Sequence, residues 1–404
     1  SIHTADDVAF DIISMFEQKT TEEITEEMMR RYGHRPDVTP REILMCIQDI
    51  KSLQRDHKLF SEDLFENVAE HTLIQDHTVK ALCLHVAHTC NLNCPYCFAA
   101  QGKYHGERAL MPLSVGKQAI DFLISHSPGR HNLEVDFFGG EPLMNFEVVK
   151  KLVAYGRSLE KTYDKTFRFT ITTNGMLLDD DKIDFINREM SNVVLSIDGR
   201  KEVTDHVRKR VDGSGCYDTI LPKFQRLVEK REHQNYYARG TFTKYNLDFS
   251  EDVDSLFAQG FDQISIEPVV GDPACEYSIH EQDLPIIFAE YEKLAQKLIA
   301  YRKAGKQINF FHFMIDLDQG PCVIKRLKGC GCGNEYIAVT PDGDVFPCHQ
   351  FVGNDQWKMG NVMDGSFDFS MKADFAEANI YHKPSCKECW AKFFCSGGCN
   401  ANNA

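Results

Sequence analysis

Hydrophobic residues near the N-terminus recur at the spacing of helices. An apolar-periodic stretch covers residues 8–16, and a threonine followed three positions later by a glutamate forms the pattern of a capping box at 20–23 and at 39–42. The pattern predicts three helices within residues 1–58 and a linker over residues 59–80. The third helix would carry an apolar face made of Ile43, Leu44, Ile47, Ile50 and Leu53.

From residue 81 onward, short apolar runs typical of strands alternate with amphipathic runs typical of helices. The predicted strands are Ala81–His88, Leu133–Phe138, Phe167–Thr172, Val193–Ile197, Arg239–Thr243 and Gln263–Pro268. The predicted helices cover residues 113–126, 145–160, 179–189, 218–232, 251–259 and 284–304. Six β/α units in succession predict an α/β fold with a parallel sheet, either open and doubly wound or a partial barrel. Functional residues would gather at the carboxyl ends of its strands.

The composition limits the partners that the chain can have. Its 404 residues suffice for two or three domains, and 60 acidic against 45 basic residues give a net charge of −15. Such an acidic chain is poorly suited to bind the phosphates of a nucleic acid. It has no run of 18 apolar residues and no secretory signal, which predicts a cytoplasmic protein without a membrane partner.

The fifteen cysteines are clustered rather than scattered. Three lie between Cys90 and Cys97, and eight more lie between Cys322 and Cys399. Because no secretory signal precedes them, the clusters indicate metal or iron–sulfur ligands rather than a disulfide framework. Four cysteines stand alone and are most simply core or surface thiols: Cys46, Cys83, Cys216 and Cys275.

The stretch from Cys90 through Cys94 to Cys97 follows the first predicted strand directly. Three thiolates in one loop can hold three irons of a [4Fe–4S] cluster, whereas the alternative, a structural zinc ion, takes four ligands. The spacing, the aromatic Tyr96 and the position after the first strand resemble the radical S-adenosylmethionine (SAM) superfamily. The resemblance implies a cluster on these three cysteines and SAM as the cofactor.

Further motifs at strand ends resemble the SAM contacts of the same superfamily. Gly139-Gly-Glu-Pro142 follows the second strand, where its carboxylate would accept hydrogen bonds from the SAM ammonium group. Each motif has an alternative reading as an ordinary turn, and Arg208 and Arg239 could be either partners of the SAM carboxylate or salt-bridge residues. The resemblance implies a SAM-binding set of Tyr96, Gly139, Gly140, Glu141, Pro142, Asn174, Ser196, Asp198, Arg208 and Arg239.

The C-terminal cysteines resemble the SPASM extension of radical SAM peptide-modifying enzymes, which binds two auxiliary [4Fe–4S] clusters. The alternative is a structural zinc ribbon. The resemblance implies that the first auxiliary cluster is held by Cys322, Cys330, Cys348 and Cys399, although Cys332 leaves that set ambiguous, and that the second is held by Cys386, Cys389 and Cys395. The family takes a last ligand from farther along the chain, so either the natural protein continues beyond Ala404, which we expect, or the second cluster has an unusual fourth ligand.

The resemblance extends to the N-terminal helices, which are similar to the helical half of the peptide-recognition module of ribosomal-peptide maturases. A generic helical cap is the alternative. The predicted organisation is therefore a recognition-like module at residues 1–58, a linker at 59–80, a partial (β/α)6 radical SAM barrel at 81–304 and a SPASM domain at 305–404.

Within the superfamily, the arrangement most resembles the thioether-forming maturases of six-cysteine-in-forty-five (SCIFF) precursor peptides. This implies three [4Fe–4S] clusters, a precursor peptide with a leader sequence, and an electron donor of the flavodoxin or ferredoxin type. The activity would join a cysteine sulfur of the peptide to one of its carbons. The alternatives are formylglycine formation, as in anaerobic sulfatase maturases, and a non-enzymatic iron–sulfur carrier.

Overall fold

The computed structural model describes residues 3–63, 65–67, 78–315 and 323–403, so Cys322 lies outside the described residues. The chain divides into two compact units. The first comprises residues 1–70 and 315–324, and the second comprises residues 71–314 and 325–404. No helix in the described ranges is long and apolar enough to cross a membrane.

The first unit contains the three predicted helices, α1 (Asp7–Met15), α2 (Thr21–Tyr32) and α3 (Pro40–Arg55). A full capping box begins α2. At the start of α3 the Thr39 hydroxyl accepts a bond from the backbone N–H of Glu42, but the reciprocal bond from the Thr39 backbone N–H to the Glu42 carboxylate is not formed. The three helices bury a small apolar core of Ile12, Ile24, Met28, Val38, Ile43, Ile47 and Ile50. Leu44, which was predicted to share the apolar face of α3, is 42% exposed, because it lies one position beyond the stripe that the other helices cover.

The strands of the second unit are β1 (Ala81–His88), β2 (Ala109–Leu110), β3 (Asn132–Gly139), β4 (Thr166–Thr173), β5 (Asn192–Ser196), β6 (Tyr236–Phe242), β7 (Gln263–Pro268), β8 (Asn309–Phe310), β9 (Tyr336–Val339), β10 (Asp344–Phe346), β11 (Gly360–Asn361) and β12 (Ser366–Phe367). The helices of the rest of the chain are α4 (Leu113–Ser125), α5 (Phe146–Tyr163), α6 (Asp180–Glu189), α7 (Lys201–Val207), α8 (Tyr217–Lys230), α9 (Phe249–Ala258), α10 (Leu284–Lys303), α11 (Val323–Lys328), α12 (Phe369–Glu377), α13 (Pro384–Lys387), α14 (Lys392–Cys395) and α15 (Asn400–Asn403).

All described strands belong to one sheet with the order β12-β11-β10-β9-β1-β3-β4-β5-β6-β7-β8, and β2 pairs with β1. Neighbours from β1 through β3, β4, β5, β6 and β7 to β8 run parallel, which confirms the predicted parallel α/β sheet. The sheet curves as a partial barrel and is not closed, since β12 and β8 are its two ends. The crossovers between parallel strands pass through helices, as the alternating pattern predicts.

The core lies between the sheet and the helices that cover it. Every residue of β1 is buried, as expected for a central parallel strand that is covered on both faces. Phe137, Phe167 and Phe169 of the next two strands are buried and stack on one another. This packing fixes the strands in register, so that the carboxyl ends of β1, β3, β4, β5, β6 and β7 lie along one edge of the sheet.

The cysteine-rich C-terminal segment extends the same sheet. Strand β9 pairs in parallel with β1, from Ala81↔Tyr336 to Leu84↔Val339, and β10 and β11 follow it antiparallel. The strand that carries the first cysteine loop at its end is therefore flanked by a barrel strand on one side and by the C-terminal segment on the other. The domain boundaries at residues 58, 80 and 304 stay predictions.

Candidate active site

A cavity of about 290 Å³ opens at the carboxyl ends of the barrel strands. The sequence-predicted residues that line it are Cys90, Cys94, Tyr96, Cys97, Gly139, Gly140, Asn174, Ser196, Arg208 and Arg239. They come from the loops or ends of β1, β3, β4, β5 and β6 and from the segment after α7, so only the folded sheet brings them together. Glu141, Pro142 and Asp198 do not line the cavity.

The three-cysteine loop after β1 is held in place by backbone and amide contacts. The backbone N–H of Leu92 and the side-chain amide of Asn174 both approach the Cys90 sulfur, at 3.4 and 3.6 Å. The side-chain amide of Gln101 donates to the carbonyl oxygen of Cys94 at 3.2 Å. These contacts present the thiols of Cys90, Cys94 and Cys97 to one cavity.

The chemistry of this loop fits an iron–sulfur cluster. Burial raises the pKa of the Cys90 thiol to about 11 and that of Cys94 further, so ionisation requires positive charge that a bound metal would supply. In the described part of the chain, no three His, Cys, Asp or Glu side chains converge closely enough to hold a single metal ion. A cube of four irons spaces its thiolates more widely than a single ion, and three thiols then leave one iron without a protein ligand.

The two glycines at the end of β3 allow the chain to pass tightly beside the cysteine loop. Gly139 has φ +128°, and a Cβ there would lie 2.2 Å from the carbonyl oxygen of Ala87. A Cβ at Gly140 would lie 2.2 Å from the carbonyl oxygen of Thr89. A side chain at either position would force apart the ends of β1 and β3, so these positions require glycine and keep backbone exposed at the cavity wall.

Glu141 lies behind the cavity wall rather than at its surface. Its carboxylate is fully buried and accepts hydrogen bonds from the backbone N–H of Leu143, the Thr173 hydroxyl and the backbone N–H of Asn174. Burial raises its pKa to about 7, while these three hydrogen bonds act in the opposite direction. The carboxylate thus joins the ends of β3 and β4, and its predicted contact with an ammonium group stays a prediction.

Asp198 organises a second buried array beside the cavity. It accepts two bonds from the Arg208 guanidinium, at 2.8 and 3.1 Å, and others from the Tyr96 hydroxyl and the backbone N–H of Thr241. Burial by itself lowers the pKa of the Arg208 guanidinium, but Asp198 together with the nearby Tyr96 and Cys94 raises that pKa well above its ordinary value. The Arg208 guanidinium also lies 5.7 Å from the centre of the Tyr96 ring.

Arg239 differs from Arg208 because no other described residue forms a salt bridge with it. It lines the cavity from β6, opposite Ser196 of β5 in the strand register. Its guanidinium therefore keeps a fork of donors for an incoming carboxylate. The sequence could not decide which of the two arginines would bind the SAM carboxylate. Of the two, only Arg208 forms a salt bridge with a carboxylate of the described residues.

Among the residues of the cavity wall, one acidic and one basic side chain lie outside the predicted SAM-binding set. Glu267, at the end of β7, lines the cavity, accepts a bond from the Ser265 hydroxyl at 2.6 Å and pairs with His312 at 2.7 Å. His349 lines the same cavity from the C-terminal segment. From the sequence, Glu267 at its strand end could face either the barrel mouth or the outside. Nothing in the sequence indicates that His349, the residue after Cys348, reaches this cavity.

The C-terminal cysteines that the structure describes do not line this cavity. Cys332 and Cys348 are buried, Cys330 and Cys395 are exposed, and Cys399 is intermediate. Cys386 lies in α13 and Cys389 just after it, joined by a backbone bond of 3.0 Å. The assignment of these cysteines to two clusters stays a prediction.

Comparison with known proteins shows likeness over most of the chain. A profile of the radical SAM superfamily matches residues 84–243, and one of the iron–sulfur cluster-binding SPASM domain matches residues 330–390. A cysteine-type anaerobic sulfatase-maturating enzyme of Clostridium novyi is 23% identical over 78% of this chain and 85% of its own length. The uncharacterized protein MJ0907 of Methanocaldococcus jannaschii is 30% identical over 71% of this chain and 90% of its own.

A solved structure is similar over nearly the full length. The structure of Streptococcus suis SuiB bound to precursor peptide SuiA covers 99% of this chain, and 90% of its own chain is matched. The TM-score is 0.57 and the identity is 16%, a likeness that concerns the fold alone.

Replacing Glu141 by Gln should lower stability and flatten its dependence on pH. The folded-state pKa of about 7 lies above the ordinary 4.5, so wild-type stability is full below pH 4.5 and falls as pH rises to 7, by about 3 kcal/mol for the whole shift. Gln cannot titrate and offers one acceptor oxygen to three donors. Urea unfolding at pH 5 and pH 8 measures the free energy of unfolding of the wild type and the variant, with Glu147→Gln at an exposed position as the control. An unchanged pH slope in Glu141→Gln would contradict the buried-acid interpretation.

Proposed function

Because the chain belongs to the radical SAM superfamily and carries a SPASM domain, we propose that this radical SAM enzyme forms intramolecular cysteine thioether crosslinks in a ribosomally made precursor peptide. The observation that carries the proposal is the meeting, in one cavity, of a three-thiol loop, a double-glycine turn and an arginine without a salt bridge to the described residues. Each of these fits one part of an iron–sulfur cluster with SAM.

We assign the cavity residues as follows. Cys90, Cys94 and Cys97 would hold the catalytic [4Fe–4S] cluster, and the backbone of Gly139 and Gly140 would lie against SAM. When bound, the cluster and SAM supply one-electron chemistry that removes a hydrogen atom from the peptide.

Arg239 would grip the SAM carboxylate in its fork, since Arg208 is already engaged by Asp198. Asn174 would stay on the Cys90 sulfur, and Ser196 would face the ribose. Asp198, Arg208 and Tyr96 would then act together to fix the cysteine loop. The Tyr96 hydroxyl would hold the loop to Asp198, and the backbone N–H of Thr241 would hold Asp198 to β6.

A peptide substrate is supported by the first unit of the chain. The relative named as a sulfatase-maturating enzyme matches 78% of this chain, whereas the fold of SuiB, solved with a precursor peptide, matches 99%. Within the first unit, a groove of about 780 Å³ has Lys19, Lys51 and Arg55 among its lining residues. A basic groove of this size is suited to an acidic segment of a leader peptide.

Formylglycine formation is the second candidate, favoured by the sulfatase-maturating relatives. Both reactions remove two hydrogens from a cysteine-containing peptide, but formylglycine formation also replaces the sulfur by an aldehyde oxygen. The third possibility, an iron–sulfur carrier, predicts no SAM cleavage at all. The product therefore separates the three functions.

We expect the reduced enzyme to convert its cysteine-rich precursor peptide into a product that is lighter by two hydrogens for each crosslink and keeps all its sulfur. Each bridged cysteine should resist alkylation by iodoacetamide. High-resolution mass spectrometry before and after alkylation measures both properties. A product that reacts with a hydrazide and has lost sulfur would identify formylglycine instead.

Replacing Cys90, Cys94 or Cys97 by Ala should abolish SAM cleavage, because each thiolate holds one iron of the catalytic cluster. Anaerobic assays for 5′-deoxyadenosine with dithionite as reductant measure it. Cys216→Ala is the matched control, since that thiol is buried in the core and does not line the cavity. Retained 5′-deoxyadenosine formation in any of the three variants would contradict the assignment.

Deleting residues 1–58 should weaken binding of the leader peptide and leave peptide-independent SAM cleavage largely intact. The sharper variant is Lys51→Glu with Arg55→Glu, which reverses charge in the groove, and Arg41→Glu, an exposed α3 residue outside it, is the control. Titration with fluorescent leader peptide should show at least a tenfold weaker Kd for the double variant, about 1.4 kcal/mol. Unchanged affinity in both the deletion and the double variant would reduce the first unit to a structural cap.

A further inference from the structure

Glu267 is the carboxylate that the cavity presents to a ligand. Among the described residues that line the cavity, no other Asp or Glu is present. The Glu267 side chain is 27% exposed, whereas Glu141 and Asp198 are fully buried and do not line the cavity. A substrate that enters the cavity therefore meets this one carboxylate of the described wall.

A chain of hydrogen bonds leads away from the cavity behind Glu267. One carboxylate oxygen accepts a bond from the Ser265 hydroxyl at 2.6 Å, and the other lies 2.7 Å from Nε2 of His312. Nδ1 of His312 lies 3.0 Å from the hydroxyl of Tyr291, in α10. Burial raises the pKa of Tyr291 to about 12, so its hydroxyl stays protonated and can donate to Nδ1. Nε2–H of the imidazole is then directed at Glu267.

The groups around Glu267 keep its carboxylate ionised at neutral pH. Burial by itself raises the pKa of Glu267, but the hydrogen bonds from His312 and Ser265 and the proximity of His312 and Arg239 lower it below its ordinary value. Arg239 comes from β6, where it is the register partner of Ser265. A carboxylate that accepts two hydrogen bonds still has acceptor positions left for a donor on the substrate.

His312 connects this carboxylate with the outside of the cavity. It follows β8, its side chain is 26% exposed, and it does not line the cavity. Imidazole is the side chain that most readily takes up and releases a proton near neutral pH. A proton that reaches Glu267 from the cavity can therefore pass to His312 and from there to solvent.

The proposed chemistry releases such a proton inside the cavity. For the thioether and for formylglycine alike, a peptide carbon first loses one hydrogen atom. The S–H bond of the reacting cysteine then breaks and a new bond from sulfur to carbon forms, which leaves one proton and one electron. The electron passes to an oxidised iron–sulfur cluster, and the proton needs an acceptor, because a thiol with a pKa of about 8.5 is mostly protonated at neutral pH.

We propose that Glu267 takes up the proton of the reacting cysteine thiol and that His312 passes it to solvent. Glu267 is the catalytic residue of this step, since it lines the cavity, whereas His312 and Tyr291 act through it as positioning residues. The inference rests on the proposed modification of a peptide cysteine and holds for either of its two candidate products.

The test measures how much modified peptide the holoenzyme forms for each 5′-deoxyadenosine. Glu267→Gln should keep SAM cleavage but lower this ratio about tenfold at pH 7, as expected when a positioned base is lost. At pH 9 the thiol ionises without a base, so the ratio should return to within about twofold of wild type. His312→Gln should show the same recovery after a smaller loss. Glu276→Gln, at an exposed position outside the cavity, is the matched control.

An unchanged ratio in Glu267→Gln at pH 7 would overturn the proposal, as would a loss that persists at pH 9. Loss of SAM cleavage itself would assign Glu267 to cofactor binding and also overturn it. The Kd for fluorescent precursor peptide should stay within about twofold of wild type, and a larger change would assign Glu267 to peptide binding instead. The identity of the wild-type product decides the proposed function, whereas the ratio of variant to wild type decides this inference.

Discussion

The parallel register of the barrel strands is the constraint on which the site depends. Paired residues such as Leu84↔Phe137 and Val135↔Phe169 align β1, β3 and β4, and the pairing continues through β7. Because all these strands run in one direction, their carboxyl ends meet at one edge. A slip of one residue in β3 would move Gly139 and Gly140 away from the cysteine loop and turn the apolar residues of that strand from the core.

Two buried carboxylates connect those strand ends. Glu141 joins β3 to β4 through two hydrogen bonds, from Thr173 and Asn174, and Asp198 joins Arg208, Tyr96 and the backbone of Thr241. Burial of a carboxylate is unfavourable unless donors or an opposite charge satisfy it, so each forces its partners into one arrangement. The wall of the cavity is therefore stiff before any ligand enters, which limits the ordering that binding requires.

The C-terminal segment shares this framework. Because β9 pairs with β1, the segment that carries Cys332 and Cys348 is connected through one sheet to the strand that precedes Cys90. Aromatic and imidazole rings pack near both cysteine regions: the buried His85 and Tyr104 lie 4.6 Å apart, and Phe138 and His349, which line the cavity, lie 5.1 Å apart.

The sequence by itself determined the main elements of this protein and the chemistry of its loops. Periodicity located the parallel strands from Ala81 to Pro268 and the longer helices between them. A helix with one buried face repeats its apolar residues every three or four positions, and a buried central strand is a short apolar run. The spacing of Cys90, Cys94 and Cys97 indicated an iron–sulfur loop, since those ligands lie within one local segment.

Only the tertiary structure decided what depends on contacts between distant segments. Glu141 and Asp198 belong to motifs at strand ends, yet burial behind the wall, rather than exposure to the cavity, follows from the packing of neighbouring strands. The difference between Arg208 and Arg239 depends on whether Asp198 lies within reach. A linear sequence records residue types and spacing, whereas burial and ion pairing arise from three-dimensional neighbours that no local pattern specifies.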